Sequence, residues 1–130
     1  MRAVSHLDVG KFGEKECVKF LKKVKKYKII GTNLTIGHLE ADIVAYDKNY
    51  IIFVEVKTRR EDKSNIGRPS DAVNNNKRTN LIRFAYSFVK TMPKKYKNKT
   101  PRIDVCEITC VLENKLRLCT INYMENAISR

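Results

Sequence analysis

Two apolar runs, residues 39–45 and 50–56, flank a short polar segment, Asp47-Lys48-Asn49. Runs of this length bounded by turn residues read as buried strands joined in a hairpin. Each also carries charge that a buried strand tolerates poorly. Asp42 lies inside the first, Glu55 closes the second, and Lys57 follows two residues later. Charges belong in such places when they are paired, hold a metal or do chemistry, because leaving water uncompensated is too costly.

The surrounding pattern supplies the rest of the architecture. Residues 8–27 predict a first helix, with Cys17, Phe20, Leu21, Val24 and Tyr27 at helical spacing and Asp8 as cap. Gly10 and Gly13 weaken its first turns but permit close approach of the backbone to another element or a phosphate. Residues 28–33 predict a short strand. A polar stretch, 59–69, leads into a second helix over 70–92 capped by Ser70, with Val73, Leu81, Phe84, Ala85 and Phe88 on its core face. A basic loop over 93–101 precedes strands at 102–112 and 116–121, and residues 122–129 predict a closing helical turn. The long link through the second helix suits a crossover between parallel strands, whereas the earlier strands read as a meander. The prediction is an α/β fold with a mixed central sheet flanked by helices. With 130 residues, 42% hydrophobic content and no linker-like segment, residues 1–130 read as one domain.

Side chains alternate faces along a strand. Glu40, Asp42, Val44 and Tyr46 therefore share one face of their strand, and Ile51, Phe53, Glu55 and Lys57 share one face of theirs. Hairpin pairing would make Asp42 and Glu55 neighbours. Two carboxylates about 4 Å apart repel by roughly 4 kcal/mol at an effective dielectric near 20, so a positive group should sit between them. A divalent hard cation is one candidate, since Mg²⁺ is typically held by one or two carboxylates plus waters and phosphate oxygens. Lys57 would then orient or activate water, or neutralise charge on a reacting phosphate. Alternatively, Lys57 alone satisfies both carboxylates as a strand-end ion pair. Glu14, on the core side of the first helix, is a third candidate carboxylate, or a helix-terminal residue favoured by the macrodipole. Lys77 is the one charge on the core stripe of the second helix; it reaches toward a phosphate or snorkels at the stripe's edge.

The net charge of +13 favours a polyanionic partner, nucleic acid before an acidic membrane surface. Lys outnumbers Arg two to one, so the charge also fits a compositional habit. The cysteines, Cys17, Cys106, Cys110 and Cys119, form no metal or redox motif and are expected as free thiols. No apolar leader or membrane-length run is present, which points to a cytoplasmic, reducing environment.

Several ordered motifs resemble the YraN-like proteins, an uncharacterised bacterial family with a restriction-endonuclease-like fold. They are Gly13-Glu14, Glu40-Ala41-Asp42-Ile43-Val44-Ala45, Phe53-Val54-Glu55-Val56-Lys57-Thr58-Arg59, Gly67-Arg68-Pro69-Ser70-Asp71-Ala72-Val73 with Lys77, Arg102-Ile103-Asp104-Val105, and Glu125-Asn126-Ala127. The set spans nearly the whole chain, and the family is similar to archaeal Holliday-junction resolvases. The resemblance implies an αβββαβ core with Asp42, Glu55 and Lys57 as a PD-(D/E)xK site and Glu14 as its helical carboxylate. Glu40 matches the family's acidic residue two before the Asp and is a weaker metal candidate, and Lys77 matches its basic residue on the following helix. The chain departs at Leu39, where Gly is usual, and at Ala41, where a larger aliphatic is usual.

The resulting expectation is a Mg²⁺- or Mn²⁺-dependent nuclease acting on DNA, branched or damaged DNA included. Its catalytic residues would be Asp42, Glu55 and Lys57, and its metal ligands Asp42, Glu55 and Glu14. The alternative is a nucleic-acid-binding protein of nuclease fold without turnover. In both readings Lys77, Arg59, Arg60, Arg68, Lys94, Lys95, Tyr96 and Lys97 are the candidate nucleic-acid contacts. No membrane partner is expected, and residues 116–121 offer an edge for a homodimer.

Overall fold

The computed structural model describes residues 6–60, 75–113 and 116–127. Helix α1 (His6–Lys23) is followed by strands β1 (Lys28–Ile36), β2 (Leu39–Tyr46) and β3 (Tyr50–Arg60), helix α2 (Asn75–Thr91), a 3-10 turn at Lys94–Tyr96, and strands β4 (Thr100–Glu113) and β5 (Leu116–Met124). The strands form one sheet in chain order, β1-β2-β3-β4-β5. The β1–β2, β2–β3 and β4–β5 pairs are antiparallel, and β3–β4 is parallel. This is the expected mixed sheet, with its crossover through α2, and it is consistent with a restriction-endonuclease-like core.

Helices cover both faces. Cys17 and Leu21 of α1 pack with Ile43, Ala45, Ile52, Val54, Val56, Cys106 and Ile108. Leu81, Phe84 and Ala85 of α2 pack with Val44, Ile51, Phe53 and Val105 on the other face. Phe53, Phe84 and Phe88 form a ring cluster with centroids 5.6 to 6.1 Å apart, tying α2 to β3. The hairpin turn forms as its residue types predict: Asp47 Oδ1 accepts the N–H groups of Asn49 and Tyr50 at 2.8 and 2.7 Å.

Three boundaries differ from the sequence expectation by more than two residues. Helix α1 stops at Lys23 because Lys26 takes φ 63° and Tyr27 N–H turns back to the Leu21 carbonyl at 2.9 Å. Tyr27 thereby drops into the core, while Val24, expected on the core stripe, is 63% exposed. Strand β1 runs on to Ile36 and meets β2 through a turn at Gly37, whose φ of 61° suits glycine. Strand β5 continues to Met124, where residues 122–129 were expected to begin a helical turn. Ser70 and Val73, assigned to the second helix, lie outside the described residues.

The cysteine expectation holds for Cys17 and Cys106, which are free and buried. It is corrected for Cys110 and Cys119. The β4–β5 register sets them directly opposite each other with Cα atoms 4.1 Å apart, and they are joined in a disulfide.

Candidate metal-dependent active site

The β2–β3 ladder pairs Tyr46 with Ile51 through Ile43 with Val54, then stops. One step further, the same register sets Asp42 against Glu55. Ladder pairing does not continue there. Asp42 Oδ2 instead accepts the Val56 N–H at 2.9 Å, so a side chain does the work of a strand carbonyl. β2 also turns over at this point. Ile43 and Ala45 belong to the α1-side core, but Ala41 and Leu39 pack into the α2-side core. Regular alternation would keep all four on one face. Glu40 and Asp42 stay together as expected, lining one cleft, but Leu39 and Ala41 join Val44 in the α2-side layer, so the regular alternation expected along β2 is interrupted at Asp42.

The opened strands leave a cleft of about 120 Å³, lined by His38, Glu40, Asp42, Glu55, Lys77, Asn80 and Leu81. Ligand pockets for drug-sized molecules occupy roughly 300–1,000 Å³, so this volume suits a hydrated ion or one phosphate group. Glu55 is 6% exposed on the cleft floor. Lys77 hangs over it from the first turn of α2, with Nζ 4.0 Å from Glu55 Oε1. Burial raises the Glu55 carboxyl above its ordinary value. Lys77 opposes that rise, Asp42 adds to it, and Lys57 and Arg78 oppose it. The nearby cations therefore leave the buried carboxylate incompletely compensated.

A group raised in this way stabilises the fold fully below its unfolded value and loses that contribution as pH rises through its folded value. Glu55→Gln removes the titration. The thermal midpoint of the variant minus that of wild type is therefore expected to grow from about pH 4, the unperturbed carboxylate range, toward neutrality. A pH-independent difference between the two melting series would refute the assignment.

The other predicted residues are distributed around this cleft. Lys57 is half-buried two residues beyond Glu55 on β3, near enough to act on its charge. Glu14 does not line the cleft; its Oε1 accepts a hydrogen bond from Asn33 Nδ2 at 2.9 Å. Glu14 and Asp42 both lie near the Cys17 thiol, whose pKa rises through a hydrogen bond with Cys106, burial, and these carboxylates. Gly13 explains how α1 comes so close: a Cβ there would stand 2.0 Å from Thr58 Oγ1, on the strand that carries Glu55 and Lys57. Gly10 has no such neighbour within 4 Å.

Among the expected nucleic-acid contacts, Lys94 and Lys95 are exposed on the 3-10 turn. Lys97 Nζ reaches the Val89 and Lys90 carbonyls at the end of α2. Arg59 pairs with Glu107 at 3.2 Å. Tyr96 is corrected: it is 8% exposed, and its ring packs 5.1 Å from that of Tyr46, so it belongs to the core. The Arg60 side chain and all of Arg68 lie outside the described residues.

Sequence reasoning missed His38 and Asn80 in the cleft and Asn33 against Glu14. Asn80 follows Lys77 by three residues, a spacing that shares a helix face; His38 and Asn33 depend on the longer β1 and its turn. Also missed was a buried network on β4, where Asp104 pairs with Val54 of β3. Asp104, fully buried, accepts Arg102 Nε and Nη2, each at 2.9 Å, together with the Tyr123 hydroxyl and the Asn126 N–H. Arg102 also donates to the Tyr27 hydroxyl at 2.7 Å.

Among the described residues, no group of three or more His, Cys, Asp or Glu side chains is arranged to hold a metal ion. The paired Asp42 and Glu55 carboxylates, with Glu40 at the rim, fit a hard cation that keeps several waters, which is the habit of Mg²⁺.

Sheet order, crossover and cleft define an α/β protein with a restriction-endonuclease-like core and an acidic site where β2 and β3 part. The model of the Uncharacterised protein family UPF0102 matches residues 13–108, and the chain belongs to that family. It is 37% identical over 127 residues to the UPF0102 protein TTE1452 of Caldanaerobacter subterraneus, covering 98% of this chain and 99% of that one. A UPF0102 protein of Caldicellulosiruptor saccharolyticus is 40% identical over 120 residues, covering 92% and 96%. The UPF0102 protein CA_C1763 of Clostridium acetobutylicum is 36% identical over 118 residues, covering 91% of each chain. The YraN-like resemblance is thereby borne out at the level of the family.

Proposed function

We propose that this protein is a Mg²⁺- or Mn²⁺-dependent nuclease that hydrolyses DNA phosphodiester bonds, branched or damaged DNA being the favoured substrate. The observation that carries this reading is the incompletely compensated Glu55 beside Asp42 in a cleft the size of a phosphate or hydrated ion. Asp42 and Glu55 would hold the cation, with Glu40 and Glu14 as outer carboxylates. Such an ion supplies Lewis-acid polarisation of the scissile phosphate and lowers the pKa of water. Lys57 would donate to the attacking water or to the phosphate oxygens. Lys77, more than half exposed at the cleft mouth, would hold the incoming phosphate. Among the described residues no helix is long and apolar enough to cross a membrane; the proposed site of action is the cytoplasm, where DNA is available.

Calorimetric titration of Mg²⁺ and Mn²⁺ into wild type and Glu55→Ala tests the metal site without a chosen substrate. Cleavage of nicked, branched and single-stranded DNA then tests the chemistry. Metal binding should be lost in Glu55→Ala. Lys57→Ala should keep the metal and lose cleavage by on the order of 10²-fold or more. Equal cleavage by wild type and Lys57→Ala would sink the catalytic assignment.

A second reading, nucleic-acid binding without turnover, is favoured by one observation: Asp42 already spends an oxygen on the Val56 N–H. It prevails if wild type binds DNA, cuts none of the substrates, and binds equally well as Asp42→Asn without metal.

A further inference from the structure

We propose that the outer face of α2 is a binding track for unpaired nucleotides, with Tyr86 as the platform on which a base stacks. This rests on the nucleic-acid reading above and specifies the form of nucleic acid.

The first observation is charge segregation. Residues 72–103 contain nine Lys and Arg and no Asp or Glu, although the chain has 14 acidic residues. A Lys-rich composition explains many lysines; it does not explain a segment of this length from which every acid is missing. The segment includes all of α2 and the 3-10 turn; Lys77 and Arg102 are paired with Glu55 and Asp104, and Arg83, Lys90, Lys94 and Lys95 stand exposed on a stretch that carries no acid of its own.

The second observation is an aromatic ring where packing does not require one. Leu81, Phe84 and Ala85 give α2 its buried face. Arg83, Tyr86 and Lys90, spaced three and four residues apart, form a stripe on the opposite face and are exposed. Tyr86 is 67% exposed, the most exposed large hydrophobic side chain among the described residues. Lys90 Nζ stands 4.5 Å from the centroid of its ring, over one face. The three residues span roughly 10 Å along the helix. Lys97, bonded to the carbonyls of Val89 and Lys90, fastens the 3-10 turn to the helix end and carries the basic surface on to Lys94 and Lys95.

A flat ring flanked by cations matches single-stranded nucleic acid in both its parts: phosphates meet Arg83 and Lys90, and a base covers the free ring face. Duplex DNA offers the same phosphates but keeps its bases stacked inside, so the ring discriminates where the cations do not. An acidic membrane would use the charge and also take up a Tyr ring at its interface, so vesicles form a separate arm of the test.

The test compares wild type, Tyr86→Phe and Tyr86→Ala by fluorescence anisotropy on labelled oligo-dT, a matched duplex and vesicles containing phosphatidylglycerol. Stacking on an aromatic residue is worth about 1–3 kcal/mol per base on alanine substitution. Tyr86→Ala should therefore weaken oligo-dT binding by roughly 5- to 100-fold, with duplex binding within about twofold of wild type. Tyr86→Phe should retain oligo-dT binding. Arg83→Ala and Lys90→Ala should weaken both DNA forms and reduce the salt slope by about one each. The proposal is overturned if Tyr86→Ala binds oligo-dT like wild type, if it loses single strand and duplex equally, or if vesicles bind and oligo-dT does not. Failure of wild type to bind any DNA would instead remove the underlying nucleic-acid reading. Circular dichroism melts of Tyr86→Ala should match wild type, since the side chain stands clear of the core.

Discussion

Asp104→Ala is expected to lower the stability of this protein by about 3–5 kcal/mol, the typical cost of removing one partner from a buried ion pair. Arg102 would remain, its side chain 10% exposed, without its bidentate acceptor. Burial works against the guanidinium's charge, and Asp104 is the principal group that offsets it and raises its pKa. The Tyr123 hydroxyl and the Asn126 N–H would lose their acceptor as well. Glu125 lies 3.7 Å from Arg102 Nη1 but is half-exposed and also paired with Lys25, so it is a poor substitute. Domains of this size are stable by only about 5–15 kcal/mol, so the loss should lower the melting temperature by roughly 10–20 °C. Asp104→Asn, which keeps an acceptor and loses the charge, should fall between alanine and wild type. Urea denaturation at neutral pH measures both. A loss below about 1 kcal/mol for the alanine variant would mean that the network contributes little to the fold.

Gly13→Ala should be disproportionately damaging for the addition of one methyl group. The new Cβ would lie 2.0 Å from Thr58 Oγ1 and 3.0 Å from both Thr58 Cβ and Cγ2. Rotating a β-branched side chain relieves one of these contacts at the expense of another, so α1 has to lift from β3. Overpacking of this kind typically costs 1–3 kcal/mol, and so deep an overlap should reach about 3 kcal/mol or more. The lift would also move Glu14 relative to Glu55 and Lys57, weakening any divalent-metal binding along with stability. Thr58→Ala removes Oγ1 and Cγ2, so the double variant should recover more than half of the stability loss. An additive double variant would show that the contact with Thr58 is not the cause. Denaturation curves for the four proteins of the cycle decide between these outcomes.

The elements that repeat a clear pattern were readable in the chain. The Asp47-Lys48-Asn49 turn, the buried strands on either side of it and the apolar stripe of α2 each rest on local chemistry, and the fold follows from joining them. Near the candidate site, local pattern fails where tertiary structure overrides it. Alternation sets Asp42 on the face of Val44, but packing of Ala41 and Leu39 against the α2-side core twists β2 at that residue. Tyr96 reads as an exposed aromatic among lysines, but the 3-10 turn directs it against Tyr46. The Cys110–Cys119 pairing depends on a register that only the assembled β4–β5 ladder defines. The Asp104 network joins β4, β5 and the segment after α1, and no periodicity within one element signals it.

The parallel pairing of β3 with β4 bears on how the protein comes off the ribosome. Every paired residue, from Tyr50 with Thr100 to Arg60 with Cys110, has its partner 50 positions later in the chain. The β1-β2-β3 meander closes through short turns, so it is complete long before β4 has been synthesised. Throughout that interval the second edge of β3 has no strand beside it, and the residues along it, Ile51 to Val56, are all buried in the finished fold. Open apolar edges are where nascent chains associate wrongly, and closing a long-range parallel pair is intrinsically slow. Among the three strands that end up paired on both sides, the one that carries Glu55 and Lys57 is thus the one that waits longest for its second partner during biosynthesis.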